Sequence, residues 1–159
     1  MDPRDTRPWI GPHIAAELTF DEYRDNVDPA MRAILAHTPR GPVVEEAEAA
    51  LAAGNADLAR RLVREFVASP ANKYQSIEIL MNRLGYRLLE AKQIESAVVV
   101  FELNAEAYPE SWNAWDSLAE GHMLAGRRDL AIKYYERSLH LNPENHGGRE
   151  ALERLRTGK

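Results

Sequence analysis

From residue 43 to the end of the chain, apolar residues recur every three or four positions, and short turns rich in Gly, Pro and Asn interrupt the pattern. This spacing places the apolar side chains along one face of an α-helix. The pattern therefore predicts an all-α fold. The predicted helices span 20–27, 29–37, 43–53, 56–69, 73–91, 94–107, 112–125, 128–141 and 146–156.

Capping and turn residues support these boundaries. Thr19 precedes the first helix, and Glu22 three residues later gives the spacing of a capping box. Asp28, followed by a proline, is a second helix-start signal. Gly54 and Gly126 stand between paired helices, where a glycine accepts the left-handed conformation that follows a helix end. The sequence thus predicts helical hairpins.

The apolar faces of two helices are expected to have different roles. One, in helix 73–91, is formed by Ile77, Leu80, Met81, Leu84 and Leu88. The C-terminal helix carries only Leu152 and Leu155 on one side and many charges on the other. A polar outer face is what the last element of a stacked array needs, so we expect this helix to act as a cap.

Two stretches of the chain also match each other at an offset of 34 residues, since 118 minus 84 is 34. Small residues recur where helices would approach closely, aromatic residues where space between helices must be filled, and prolines where a helix must end. Trp115 is a further aromatic expected between helices. The matched pairs are Leu84 and Leu118, Gly85 and Ala119, Ala97 and Ala131, Phe101 and Tyr135, and Pro109 and Pro143.

This period and these positions resemble the tetratricopeptide repeat, and 78–109 and 112–143 look like two copies of it. The resemblance implies a helix–turn–helix solenoid with no built-in chemistry. His122 departs from it, because the family usually has a large apolar residue there. Residues 43–71 fit either a diverged repeat or an unrelated helical hairpin. The expected organisation is an irregular arm (1–18), a helical segment (19–42), a degenerate repeat (43–71), two repeats (72–111 and 112–143) and a capping helix (144–159).

The tract from Leu84 to Pro143 is also similar to the repeat tail behind some bacterial serine hydrolases of the penicillin-binding and β-lactamase type. The similarity is carried by NRLGYRLLEAKQIESAVVVFELNAEAYPES and NAWDSLAEGHMLAGRRDLAIKYYERSLHLNPEN. The chain has no Ser-x-x-Lys, so the nucleophile of that family is missing. This resemblance implies an accessory portion without catalysis.

The composition of the chain excludes several classes of function. The chain of 159 residues has a net charge of −5, which argues against nucleic acid and anionic membranes as partners. Without cysteine, it has no thiol catalysis or thiolate metal site, and its five histidines show no metal-ligand spacing. We expect no catalytic residue, metal or cofactor. The first residues lack a signal-peptide core, which favours the cytoplasm unless the chain is processed from a longer precursor.

The family resemblance implies that the first helix of each repeat lines a concave groove. The residues expected to contact a partner there are Asn82, Tyr86, Leu89, Asn113, Asp116, Glu120 and Met123, with Ile79 beside them. Asp116 and Glu120 would repel the acidic tails of heat-shock chaperones, so we expect a basic or neutral protein segment. The predicted function is a noncatalytic protein-interaction scaffold. Two alternatives remain open: a self-association module that forms a homo-oligomer, and a detached accessory domain of a serine hydrolase.

Overall fold

A computed structural model describes residues 19–25, 28–31 and 42–157. The chain divides into two compact units, residues 1–40 and 41–159. In the first unit, helix α1 (Phe20–Arg24) follows Thr19 and ends before the predicted limit at 27. Asp28 caps the start of the next helical turn, since its Oδ1 accepts a hydrogen bond from Met31 N at 2.9 Å. The predicted arm (1–18), the Glu22 capping contact and the remainder of helix 29–37 lie outside the described residues.

The second unit is built from helices joined by short turns. Together with α1, the described residues contain eight α-helices and no strand, so the predicted all-α fold is confirmed. None of these helices has the length and apolar character needed to cross a membrane. The helices of the second unit are α2 (Val43–Ala52), α3 (Ala56–Ala68), α4 (Glu78–Glu90), α5 (Ile94–Ala107), α6 (Trp112–Leu124), α7 (Arg128–Leu141) and α8 (His146–Thr157).

Consecutive helices pack as hairpins, α2 with α3, α4 with α5 and α6 with α7, and α5 in turn packs against α6. All three hairpin turns have a residue in the left-handed conformation: Gly54 (φ 73°), Lys92 (φ 61°) and Gly126 (φ 73°). In the middle turn, Lys92 N donates to the Leu89 carbonyl and Gln93 N to the Leu88 carbonyl. This is the hydrogen-bond pattern of a Schellman motif. The predicted glycine turns are therefore present, and a lysine fills the same position between them.

The core lies where small residues of one helix meet large residues of the next. Phe101 is fully buried, and a Cβ on Gly85 would lie 2.2 Å from its ring. Ala131 and Ala119 are also fully buried, as their predicted close-packing role requires. Trp115 differs from expectation, because its ring is only partly buried and packs at the edge of the core.

The start of α4 is a correction to the sequence prediction. A short 3-10 helix (Pro70–Asn72) precedes it, and α4 begins at Glu78 rather than at 73. Ile77 N donates instead to the Tyr108 hydroxyl at 2.7 Å, which removes the hydrogen bond that an earlier start would need. Leu80 was expected on the buried face, but it is 47% exposed.

Helix α8 packs against α7 and forms the capping helix expected from the sequence. Leu152 joins a small apolar cluster with Ala119, Tyr135 and Ala151, and Leu155 packs at its edge. Arg128 of α7 donates to the Leu155 carbonyl at 2.7 Å. The positive charge therefore lies at the carbonyl end of α8, where the helix dipole favours it.

Candidate partner-binding groove

All seven residues predicted to contact a partner are partly buried. Helical position alone would leave Asp116 and Glu120 exposed on the wall of the groove, but neighbouring side chains cover part of both residues. Ile79, expected beside them, is 67% exposed. Leu89 packs against the main apolar core and Met123 against the cluster under α8. These two apolar residues thus serve the core at least as much as a groove.

Tyr86 of α4 and Glu120 of α6 join the two repeats directly. The Tyr86 hydroxyl donates to Glu120 Oε2 at 2.9 Å and lies 3.2 Å from Ser117 Oγ. Burial raises the pKa of Tyr86 to about 12, and the charge of Glu120 contributes in the same direction. The phenol therefore keeps its proton at neutral pH and holds the Glu120 carboxylate in one orientation. Tyr86 and Glu120 are 34 residues apart, so equivalent positions of successive repeats meet here.

Asp116 has a structural role that the sequence did not indicate. Its Oδ1 accepts a hydrogen bond of 2.6 Å from Asn145 Nδ2, and that amide nitrogen also lies 3.1 Å from Ser138 Oγ. Asn145 in turn caps α8 by accepting from Gly148 N at 3.0 Å. Asp116 thus helps to hold the capping helix. The available signal was the asparagine before the last helix, a residue type favoured at N-caps.

Burial and charge act on Asp116 in opposite directions. Burial raises the pKa of its carboxyl above the ordinary value, the hydrogen bond from Asn145 lowers it, and the nearby charge of Glu120 raises it again. Burial also raises the pKa of Tyr135, and the charges of Asp116 and Glu120 add to that effect. The charges of Asp116 and Glu120 therefore act on the same partly buried groups, since both raise the pKa of Tyr135.

Within the described part of the chain, neither Asp116 nor Glu120 forms an ion pair, whereas other carboxylates do, such as Glu48 with Arg87. Asn82, one repeat before Asp116, has an enclosed Oδ1 that accepts no hydrogen bond from the described residues. Asn113 is partly buried on the first turn of α6. Among the described residues, the inner wall thus carries two carboxylates without a cationic partner, and an unpaired amide oxygen lies enclosed behind it. The described residues contain no group of three side chains suited to holding a metal ion.

His122 lies apart from this wall, in the contact of α6 with α5 and α7. It is 2% exposed, and neither ring nitrogen has a hydrogen-bond partner among the described residues. Its Nε2 is 4.0 Å from Glu102 Oε1, and its ring centroid is 5.2 Å from that of Tyr134. Burial lowers the pKa of the imidazole, so His122 is a neutral core residue near pH 7.

Comparisons with known proteins identify the repeat. Residues 112–145 match the family model of the tetratricopeptide repeat. Among curated proteins, the chain is similar to Superkiller protein 3 of Schizosaccharomyces pombe, with 26% identity over 60% of the chain. It is also similar to the human Superkiller complex protein 3, with 33% identity over 40% of the chain. The matches span only 8% and 4% of the lengths of these two relatives.

Solved structures share the fold. A MamA point mutant superposes with a TM-score of 0.58 at 21% identity, covering 73% of this chain and 82% of that one. The first tetratricopeptide domain of Spaghetti (RPAP3), bound to an HSP90 peptide, superposes with a TM-score of 0.50 at 16% identity, covering 73% and 89%. The chain therefore has the helical solenoid fold of tetratricopeptide proteins.

Proposed function

We propose that the chain is a noncatalytic interaction scaffold that binds a basic or neutral segment of a partner protein against the inner wall of α4 and α6. The observation that carries the proposal is the pair of carboxylates, Asp116 and Glu120, which lack a cationic partner among the described residues. A Lys or Arg side chain of a bound segment supplies the missing charge. Tyr86 supports this role because it fixes Glu120 in place before binding.

Glu120 is the better candidate for direct contact. Asp116 already accepts the Asn145 amide at 2.6 Å and supports the start of α8. Among the described residues, Glu120 is held by the neutral Tyr86 hydroxyl alone, at 2.9 Å, and this bond leaves its charge uncompensated. Asn82 of α4 is a weaker candidate, because its unpaired Oδ1 is enclosed and a ligand N–H reaches it only if neighbouring side chains move.

The related proteins support an interaction role. The charge preference that we propose for this chain is opposite to that of one structural neighbour. The RPAP3 domain is described as bound to an HSP90 peptide of sequence SRMEEVD, which has three acidic residues. Two carboxylates on the inner wall would disfavour such a ligand here. The human relative is named as a protein of the superkiller complex, so a protein similar to part of this chain belongs to an assembly. We infer protein partners for this chain on the same grounds.

The test begins with capture of partners on the full chain, followed by titration of the captured segment. Glu120→Gln should weaken binding roughly threefold or more, since one charge pair in a partly exposed site contributes about 1 kcal/mol. Glu90→Gln, on the exposed end of α4, is the matched control and should leave the affinity unchanged. Equal affinities of all three proteins would place the interface elsewhere.

Self-association, an accessory role beside a serine hydrolase and a cytoplasmic location stay predictions from the sequence. Light scattering at low micromolar concentration tests the first, because a constitutive homo-oligomer has a larger mass than the single chain. Recovery of a hydrolase in the same capture experiment tests the second. Neither result depends on the charge of Glu120.

A further inference from the structure

A hollow of about 480 Å³ lies between α5, α6 and α7, and it shares no residue with the inner wall described above. Trp115 and Tyr134 form one side of it, with ring centroids 5.7 Å apart and an interplanar angle of 27°. Leu118 and Ala105 line the hollow too, and both are buried. The hollow is therefore a recess with an aromatic wall, buried apolar residues at its base and charged residues at its rims.

The aromatic wall is held in place before any ligand binds. The Trp115 indole N–H donates to the Pro109 carbonyl at 2.8 Å. The guanidinium carbon of Arg137 lies 5.9 Å from the centroid of the same ring. A recess whose rings are already oriented loses little conformational entropy on binding, which favours recognition of an apolar side chain.

The charges on the two rims of the hollow are not equally satisfied. On the α5 rim, Glu106 pairs with Arg64 at 2.9 Å, and Glu102 lies 3.5 Å from Arg60. On the α7 rim, Lys133 has no carboxylate partner among the described residues, and its Nζ lies 5.6 Å from the Tyr134 ring centroid. The charge that remains available at this recess is positive.

The α7 rim has a second cation with a weak partner. Arg137 is 3.7 Å from Glu110, whose side chain is 84% exposed. An ion pair of this length with so exposed a carboxylate contributes little, so a ligand carboxylate can replace it. Lys133 and Arg137 are four residues apart on α7, which places both on the same side of the helix.

A further apolar feature lies beyond the α5 rim of the hollow. A second hollow of about 200 Å³ lies between α3 and α5, lined by Val63, Val67 and Leu103, and Glu106 borders both hollows. Val67 is 42% exposed. The two recesses lie on either side of the Arg64–Glu106 ion pair. A bound polypeptide could insert one apolar side chain into each recess.

We propose that this face is a second docking surface, which binds a segment of another protein carrying large apolar side chains next to a carboxylate. The apolar side chain enters between Trp115 and Leu118, and the carboxylate pairs with Lys133 and Arg137. The charge preference is opposite to that of the inner wall, so the two surfaces select different segments. The proposal does not depend on the function proposed for the inner wall.

The test uses three synthetic peptides that share two Phe anchors and differ only in the flanking residues, which are Glu, Gln or Lys. The readout is the indole N–H resonance of Trp115, assigned by its loss in Trp115→Phe. The Glu peptide should shift this resonance to saturation, and the Gln peptide should bind roughly three- to fivefold more weakly. No shift with the Glu peptide, or equal binding of the Lys peptide, would overturn the proposal.

Two lysine variants separate the rim charge from general electrostatics. Lys133→Gln should weaken the Glu peptide roughly threefold. Lys73→Gln is the matched control, because Lys73 Nζ lies 5.4 Å from the Tyr74 ring in the same local arrangement. An equal loss in both variants would contradict the assignment. A homodimer that Lys133→Glu dissociates would also overturn it, because the occupant would then be a second copy of this chain.

Discussion

The α4–α5 and α6–α7 hairpins share one packing plan and differ on their inner surfaces. Phe101 of the first and its equivalent Tyr135 of the second are both buried, at 0% and 3% exposure. On the inner wall, Asn82 is replaced one repeat later by Asp116, and Tyr86 by Glu120. The positions between helices therefore keep their character, while the wall changes from neutral to acidic. Packing specifies the solenoid, and we propose that the variable wall positions determine which segment it binds.

Two further differences lie inside the shared plan. The turn residue is Lys92 in the first hairpin and Gly126 in the second, although both adopt a left-handed backbone. Leu88 of α4 corresponds to His122 of α6, and both are buried. Each difference lowers the stability of one hairpin relative to the other. Replacing Lys92 or His122 by its counterpart in the other hairpin therefore tests the comparison directly.

The largest expected effect is on the shared core. Phe101→Ala should lower the free energy of unfolding by about 3–5 kcal/mol, because it leaves a cavity above Gly85. Trp115→Ala should cost clearly less, since that ring is only partly buried. Urea unfolding followed by circular dichroism measures both. Equal losses would mean that the two aromatics contribute alike and that Phe101 is not the central packing residue.

The next effect concerns His122. Burial holds the pKa of the folded-state imidazole below its ordinary value of 6.5, so the unfolded chain binds the proton more readily. The contribution of this group to stability is therefore present above about pH 6.5 and is lost as the pH falls towards the folded pKa. Glu102 and Glu95 oppose the shift, and Arg127 adds to it.

His122→Leu, which restores the residue type of Leu88, should remove that acid-dependent loss. It should also raise the free energy of unfolding near neutral pH by roughly 1 kcal/mol, since two unpaired buried nitrogens disappear. Unfolding curves at neutral pH and about pH 5 measure both effects. His140→Gln, an exposed position on α7, is the control. A variant with the wild-type pH dependence would show that His122 is not the titrating group.

The smallest effect is at the turn. Lys92→Gly should raise the free energy of unfolding by about 0.5–1 kcal/mol, because glycine adopts φ near 61° without the penalty of a Cβ. Thermal melting of the variant against the wild type measures the gain. Gly126→Lys should produce a loss of similar size. A destabilised Lys92→Gly would indicate that the lysine side chain stabilises its turn by some other contact.

Local signals account for the parts of the fold that could be predicted. Helix α5 has the predicted bounds, Ile94–Ala107, and Gly54 and Gly126 occupy left-handed turns. The predicted start of α4 was wrong. The observed start depends on Tyr108, which is distant in sequence and whose hydroxyl accepts a hydrogen bond from Ile77 N. The left-handed conformation of Lys92 was not predicted, because this turn has no glycine or asparagine to indicate it.

The site was less predictable for the same reason. Helical spacing placed Asp116 and Glu120 on one face of α6, but it gave no sign that Asn145 would reach Asp116 from the capping helix. The direct bond from Tyr86 to Glu120 depends on how successive repeats stack. Reversing the charge of both carboxylates would therefore disturb the attachment of α8 as well as the wall, so the cleaner variant alters Glu120 alone.

The central claim is that an acidic inner wall selects the charge of the partner, and one affinity ratio tests it most directly. The captured partner segment is titrated in two forms that differ only by Lys or Glu at the contact position, against wild type and Glu120→Lys. We predict that wild type prefers the Lys form, that added salt reduces this preference, and that Glu120→Lys reverses it. The same ratio for both proteins would contradict the account.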